Sequence, residues 1–330
     1  MTASLRLTLA VGDYDHVRDL TYGNVRAAGI ELNCLHLPPE EIFFRFTKFR
    51  EWDVSEMSFA KYVSLLSQDD RSLVAIPVFP SRVFRLSSLY VRPEGRVRSP
   101  ADLKGCRMGV PEWAQTAAIY TRGYIAHELG IPLESIEWVQ AGVNQPGRVE
   151  KVALKLPAGI RYRSEPVRCL NDMLLAGEID AVMSARPPAG FSAGEGKIVR
   201  LYANFRAAEE DYYRRTRVFP IMHVMALRRD VFEAHPWVAM NLYKAFSEAK
   251  QRAVERLSDV TASHAPLAWL SEYADRMRSV FGEDFWPYGI EPNRPTLEAF
   301  LQFAYEHGVC HRRLAVEELF PPQVQAFHRV

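Results

Sequence analysis

The sequence predicts an α/β protein of two lobes, each a mainly parallel sheet flanked by helices, with a central cleft between them. Short apolar strands alternate with helical segments along most of the chain, the pattern of parallel sheets covered by helices. The alternation is broken at 92–100 (RPEGRVRSP), a stretch of breakers and charges, and then starts again. The 330 residues amount to about two domains of ordinary size, and 48% hydrophobic with 25% charged residues is a globular composition able to fill a sizeable core.

The elements follow in order. Leu5 to Val11 alternates as a strand and breaks at Gly12-Asp-Tyr-Asp15, so a polar loop leaves the end of the first strand. Residues 29–37 form a second strand, followed by Pro38-Pro39 and a helix over 40–49, since proline suits a helix start. A short strand at 52–57 leads to Ser58, which opens a helix through 66 and either caps it or binds an anion there. Strands at 73–78 and 84–91 follow, and the chain crosses to the second lobe near 92–98.

The second series reads strand 107–110, helix 115–129, strand 135–140, helix 166–176 and strand 180–184. Residues 142–164 are longer than a compact strand-to-helix connection needs, which makes them a candidate binding loop. A strand at 199–201 and a helix at 207–214 precede a return strand at 218–227, and helices at 236–257, 267–281 and 294–307 complete the chain. The carboxyl third thus returns to the first lobe, giving lobe 1 as 1–96 with 218–330 and lobe 2 as 97–217.

Forty-one Lys plus Arg against 40 Asp plus Glu leave a net charge of +1, so no global field draws the protein to nucleic acid or an anionic membrane. Any positive charge that matters is local. Cys34, Cys106, Cys169 and Cys310 are scattered singly, as in a reducing compartment. No secretory signal and no run of roughly 18 to 20 apolar residues is present, so a cytoplasmic location is expected. The helical carboxyl end offers a face for a homo-oligomer.

Serine-hydrolase, phosphate-loop and dinucleotide fingerprints are absent. His307, Cys310 and His311 are the one metal-like cluster, but Gly308 interrupts their helix and no distant carboxylate completes the set. No cofactor is expected, with a divalent metal left open.

Ligands of open α/β sheets bind beyond the carboxyl ends of the strands. The residues at those ends are Asp13, Tyr14 and Asp15, Ser58, Ser81, Arg82 and Arg85, Trp113, Gln115 and Thr116, Asn144 and Arg148, Arg186, and His223. Several are arginines, whose planar forks bind carboxylates at two points, so a small carboxylate polyanion is the implied ligand. Plainer roles compete with each. Arg82 and Arg85 fit lobe-edge ion pairs, Tyr14 and Trp113 fit core packing, Thr116 fits a helix start, and Asp13 and Asp15 fit a turn beside Gly12. Arg186 is stiffened by Pro187-Pro188, and His223 lies in an apolar strand where a buried, hydrogen-bonded histidine is the commoner outcome.

Gly12-Asp-Tyr-Asp15, Leu37-Pro-Pro-Glu-Glu-Ile-Phe-Phe44, Asp53-Val-Ser-Glu-Met-Ser58, Ile76-Pro-Val-Phe-Pro-Ser-Arg82, Ser99-Pro-Ala-Asp-Leu-Lys-Gly105 before Gly109-Val-Pro111, Phe219-Pro-Ile-Met-His223 and His235-Pro-Trp-Val238 together resemble the 4,5-dihydroxyphthalate decarboxylase family. The resemblance implies a type II periplasmic-binding-protein-like fold and an aromatic dicarboxylate substrate whose carboxylates each lie para to a phenol. It further implies His223 as proton donor with Asp13 as orienter or base, or the two with their roles exchanged, and Arg82, Arg85 and Arg186 as carboxylate clamps. Tyr14, Ser58, Ser81, Trp113, Gln115, Thr116, Asn144 and Arg148 complete the expected substrate site. The rival expectation is a non-catalytic solute-binding protein for a small aromatic or carboxylate ligand, because one fold serves both.

Overall fold

The computed structural model describes residues 4–192 and 194–325, so the outermost residues of the expected lobe 1, 1–3 and 326–330, lie outside the described residues. The first half-chain runs β1 (Leu5–Val11), α1 (Asp15–Thr21), β2 (Ile30–His36), α2 (Pro39–Phe49), β3 (Val54–Ser58), α3 (Phe59–Ser67) and β4 (Leu73–Ile76). It continues with β5 (Leu89–Val91), β6 (Arg107–Val110), α4 (Thr116–His127), β7 (Glu137–Gly142), β8 (Arg161–Cys169), α5 (Leu170–Leu175), β9 (Ala181–Met183), α6 (Ala189–Ser192), β10 (Val199–Arg200) and α7 (Phe205–Thr216). Then come β11 (His223–Arg228), α8 (Arg229–Ala234), α9 (Trp237–Leu257), α10 (Leu270–Phe281) and α11 (Arg294–Glu306).

Two sheets result, in the orders β2-β1-β3-β11-β4 and β10-β5-β9-β6-β7-β8. Each contains one reversed strand, β11 in the first and β5 in the second. These are the strands with which the chain enters each lobe. The first crossing therefore lies within 77–88, earlier than the 92–98 read from the sequence, because Leu89-Tyr-Val91 pairs antiparallel with β9. The breaker-rich 92–100 is a turn beyond that strand. The second crossing falls between β10 and β11.

The two crossing segments lie against each other. Arg82 and Ile221 form an antiparallel bridge, Val83 N–H donates to the Pro220 carbonyl, and the Ser81 carbonyl accepts from the N–H groups of Met222 (2.8 Å) and His223 (3.3 Å).

A second difference concerns 161–176. The helix expected from 166 starts only at Leu170, since β8 occupies Arg161–Cys169 as an edge strand and holds Pro166, a residue that edge strands tolerate. The expected binding loop shrinks accordingly to 143–160. Its opening turn needs Gly142, where a Cβ would fall 1.7 Å from the Gln145 carbonyl oxygen.

One continuous apolar core passes through both lobes and the carboxyl helices, and a smaller one lies behind the second sheet. The carboxyl helices join the lobes: Phe300 of α11 stacks on Phe59 of α3 (4.6 Å) and lies against Tyr120 of α4 (4.9 Å). This packing brings the starts of α3 and α4 together, where Ser58 Oγ is 3.2 Å from Thr116 Oγ1 and the Ala60 N–H donates to Thr116 Oγ1. Among the described residues no helix is long and apolar enough to cross a membrane.

Gly123 of α4 lies under Phe303, and an added Cβ would stand 2.3 Å from that ring. Gly123→Ala is expected to lower stability by about 1–3 kcal/mol through overpacking, read as a lower urea midpoint. An unchanged midpoint would show that α11 can shift freely.

Candidate active site

The centre of the site is a carboxylate that is wholly buried. Glu56, in the middle of β3, is fully inaccessible. It accepts hydrogen bonds from the Gly12 N–H (2.8 Å), the Tyr14 O–H (2.7 Å) and His223 Nδ1 (2.5 Å). Burial pushes its carboxyl group up, but these donors outweigh burial and hold it below the ordinary range. An ionised carboxylate only accepts, so His223 Nδ1 carries a proton. The other ring nitrogen, Nε2, is then the one that gains or loses a proton, as a base when free and as an acid when protonated.

The register explains the pairing. His223 opens β11 opposite Ser58, and Glu56 is opposite Met225, so Glu56 and His223 are diagonal neighbours on one face of the sheet. Phe43 of α2 packs edge-on to the imidazole, with ring centres 4.8 Å apart.

His223 forms one wall of a cavity of about 520 Å³ between the lobes. Lobe 1 contributes Glu40, Phe43, Phe44, Lys48, Ser58 and Lys61; lobe 2 contributes Glu112, Gln115, Thr116, Arg148, Lys151 and Arg186; Arg85 and Met222 come from the crossing segments. Six cationic side chains face two carboxylates, which makes the cavity strongly positive in a protein whose total charge is +1. Arg85 has no ion pair among the described residues, only a contact from its Nε to Met222 Sδ, and burial lowers its pKa to about 10. It remains a cation at neutral pH. Gln115 Oε1 is buried and accepts no hydrogen bond among the described residues.

No family model matches the chain. Over 321 residues, however, it is 38% identical to the 4,5-dihydroxyphthalate decarboxylase of Comamonas testosteroni, with 97% of each chain covered. It belongs to the 4,5-dihydroxyphthalate decarboxylase family. The decarboxylase of that name from Pseudomonas putida is likewise 38% identical over 211 residues, 64% of this chain and 82% of its own. Solved structures confirm the fold of this family member as periplasmic-binding-protein-like. The aliphatic sulphonate binding protein SsuA of Escherichia coli aligns with TM-score 0.53 at 12% identity, covering 98% of this chain and 99% of its own. A sulfonate-binding protein of Methylobacillus flagellatus KT gives 0.57 at 12%, covering 98% and 93%, and the desulfurization enzyme DSZB gives 0.52 at 18%, covering 97% of each chain.

Of the residues expected to form the site of this dihydroxyphthalate decarboxylase relative, the fold brings Ser58, Arg85, Gln115, Thr116, Arg148, Arg186 and His223 to one cavity. The others are engaged elsewhere. Asp13 is half exposed and bound at both oxygens by Arg18 (3.0 and 3.2 Å), which holds its carboxyl below the usual range. The orienting role expected of it corresponds to the position of Glu56. Tyr14 serves Glu56 rather than walling the cavity, and burial raises its phenol pKa. Ser81 contributes its carbonyl to the crossing segments.

Arg82 is 4% exposed and donates to the carbonyls of Phe219 (3.1 Å) and Pro287 (2.8 Å) and to Asn293, so it pins the carboxyl segment instead of facing a ligand. Trp113 points into the core, where its indole N–H donates to the His307 carbonyl (2.7 Å). Asn144 ties its loop to Pro187 and Ala189. His307, Cys310 and His311 do not converge: Cys310 Sγ contacts the Val63 carbonyl and His311 Nε2 donates to that of Ala153. Among the described residues no three His, Cys, Asp or Glu side chains form a metal-holding group.

Sequence reasoning missed Glu56 as a site residue, together with Glu40, Phe43, Lys61, Glu112 and Lys151. The signal for Glu56 is a lone carboxylate in the middle of a short strand of small and apolar residues, Val54-Ser-Glu-Met-Ser58.

Because Glu56 has a lowered pKa in the folded protein, its contribution to stability is complete above the ordinary glutamate value of about 4.3 and is lost as pH falls through the lowered one. Glu56→Gln is expected to reduce stability at neutral pH, with the gap to the unsubstituted protein narrowing below about pH 4 in urea titrations. A gap independent of pH would mean that Glu56 is not held as an ion.

Proposed function

We propose that this protein converts 4,5-dihydroxyphthalate to protocatechuate and carbon dioxide without oxidation. The observation that carries the reading is the His223–Glu56 pair on the wall of a cation-rich cavity large enough for one small aromatic diacid. The family's name supplies the substrate class.

The chemistry follows from the substrate. Each carboxylate is para to a phenol, and ionisation of that phenol lets the ring accept a proton at the carbon bearing the carboxylate. His223 Nε2–H donates this proton, forming the C–H bond, while the para oxygen becomes a carbonyl. The bond to the carboxylate then breaks, its electron pair returns to the ring, carbon dioxide leaves and the phenolate is restored. One proton is consumed per turnover, and the para oxygen is the electron sink.

Glu56 keeps the donor's other nitrogen protonated and its ring oriented, a positioning role. Arg85, Arg148 and Arg186 supply the charge that binds carboxylates. The four free cysteines, three of them buried, support a reducing, cytoplasmic setting for the reaction.

Incubation with 4,5-dihydroxyphthalate is expected to release carbon dioxide and protocatechuate, with and without chelator. His223→Asn should lower kcat by about 10²–10⁴-fold in a folded protein. Full turnover by His223→Asn would remove His223 as the donor, and binding of the substrate without turnover would favour a solute-binding role. Arg85→Gln is expected to raise KM more than it lowers kcat, the mark of a binding residue.

A further inference from the structure

The cations around the cavity are not equally free. Arg85 has no ion pair among the described residues, whereas the two arginines contributed by lobe 2 share a carboxylate from lobe 1. Glu40, in the first turn of α2, reaches across the cleft with Oε2 3.3 Å from Arg186 Nη2 and Oε1 3.7 Å from Arg148 Nη1. Arg148 is also held by Glu112, at 2.5 Å from its Nε. Arg186 is 73% exposed, stands beside Pro187-Pro188, and has Glu40 as its one acidic partner among the described residues. All of these groups line the cavity.

We infer that Glu40 competes with one carboxylate of the substrate for Arg186 and so sets how strongly the site favours a benzene dicarboxylate over a monocarboxylate. This rests on the reading of the cavity as an aromatic diacid site. A monocarboxylate settles on Arg85 and leaves the Glu40 pairs intact. A dicarboxylate whose second carboxylate reaches Arg186 gains that ion pair only by displacing Glu40. Exposed ion pairs are weak, so the displacement lowers affinity without preventing binding. When a ligand with one carboxylate remains, Glu40 closes on Arg186 again.

The test is calorimetric titration of the full chain with phthalate, which lacks the phenols that the reaction needs, and with benzoate. Glu40→Gln is expected to tighten phthalate by roughly three- to tenfold and benzoate by less than about twofold. In an Arg186→Gln background the Glu40→Gln effect should vanish, and circular dichroism with urea midpoints checks that each variant is folded. Phthalate affinity that is unchanged or weaker in Glu40→Gln, or equal tightening of both ligands, would overturn the role of Glu40. If phthalate binds Glu40→Gln no more tightly than benzoate does, the dicarboxylate reading of the cavity fails instead.

Discussion

A carboxylate withdrawn completely from water loses several kcal/mol of solvation unless donors replace the lost water, and Glu56 is such a group. Its three donors come from the loop after β1, from Tyr14 two residues further on and from the first residue of β11. Satisfying one buried charge therefore fixes the Gly12 loop, the tyrosine and the histidine together. Removing any donor leaves the others around an under-solvated ion. The orientation of His223 is a consequence of that requirement, and so is the freedom of its second nitrogen to face the cavity.

Around this centre the two lobes share one core. α11 packs on α3 and α4, so a helix start from each lobe is presented to the same space with Ser58 against Thr116. The cavity is thus framed by packing that the apolar residues would adopt in any case, while its chemistry is added by side chains at the ends of strands. The positive lining is compatible with a near-neutral total because the remaining charges are spread over the surface as pairs, many of them exposed. Such pairs contribute little to stability.

Much of the fold was legible in the sequence because strand and helix periods are local properties. The strand-end rule pointed to Ser58, Thr116, Arg186 and His223, which line one cavity, because the rule depends on topology alone. It could not tell Arg82 from Arg85. The chain between them is irregular, so no period says which way each side chain points, and one is consumed by backbone carbonyls while the other faces the cavity. Asp13 was lost to Arg18, five positions on, through a short helix with no strong pattern. Glu56 needed partners 42 to 167 positions away, which no local reading supplies. The late helix start at Leu170 has the same origin, since pairing with β7 holds Pro166 in an extended edge strand.

The paired crossing segments bear on more than connectivity. Arg82 and Ile221 are bridged, His223 follows immediately, and Arg85 leans on Met222 from the other segment. Any rotation of one lobe against the other about this seam displaces atoms in proportion to their distance from it. His223 and Arg85 belong to the seam itself, whereas Glu40 and Arg186 face each other across the cleft from opposite lobes, so a rotation that opens the cleft would part that pair. The ion pair across the cleft would therefore report such a rotation, while the contacts along the seam would change least.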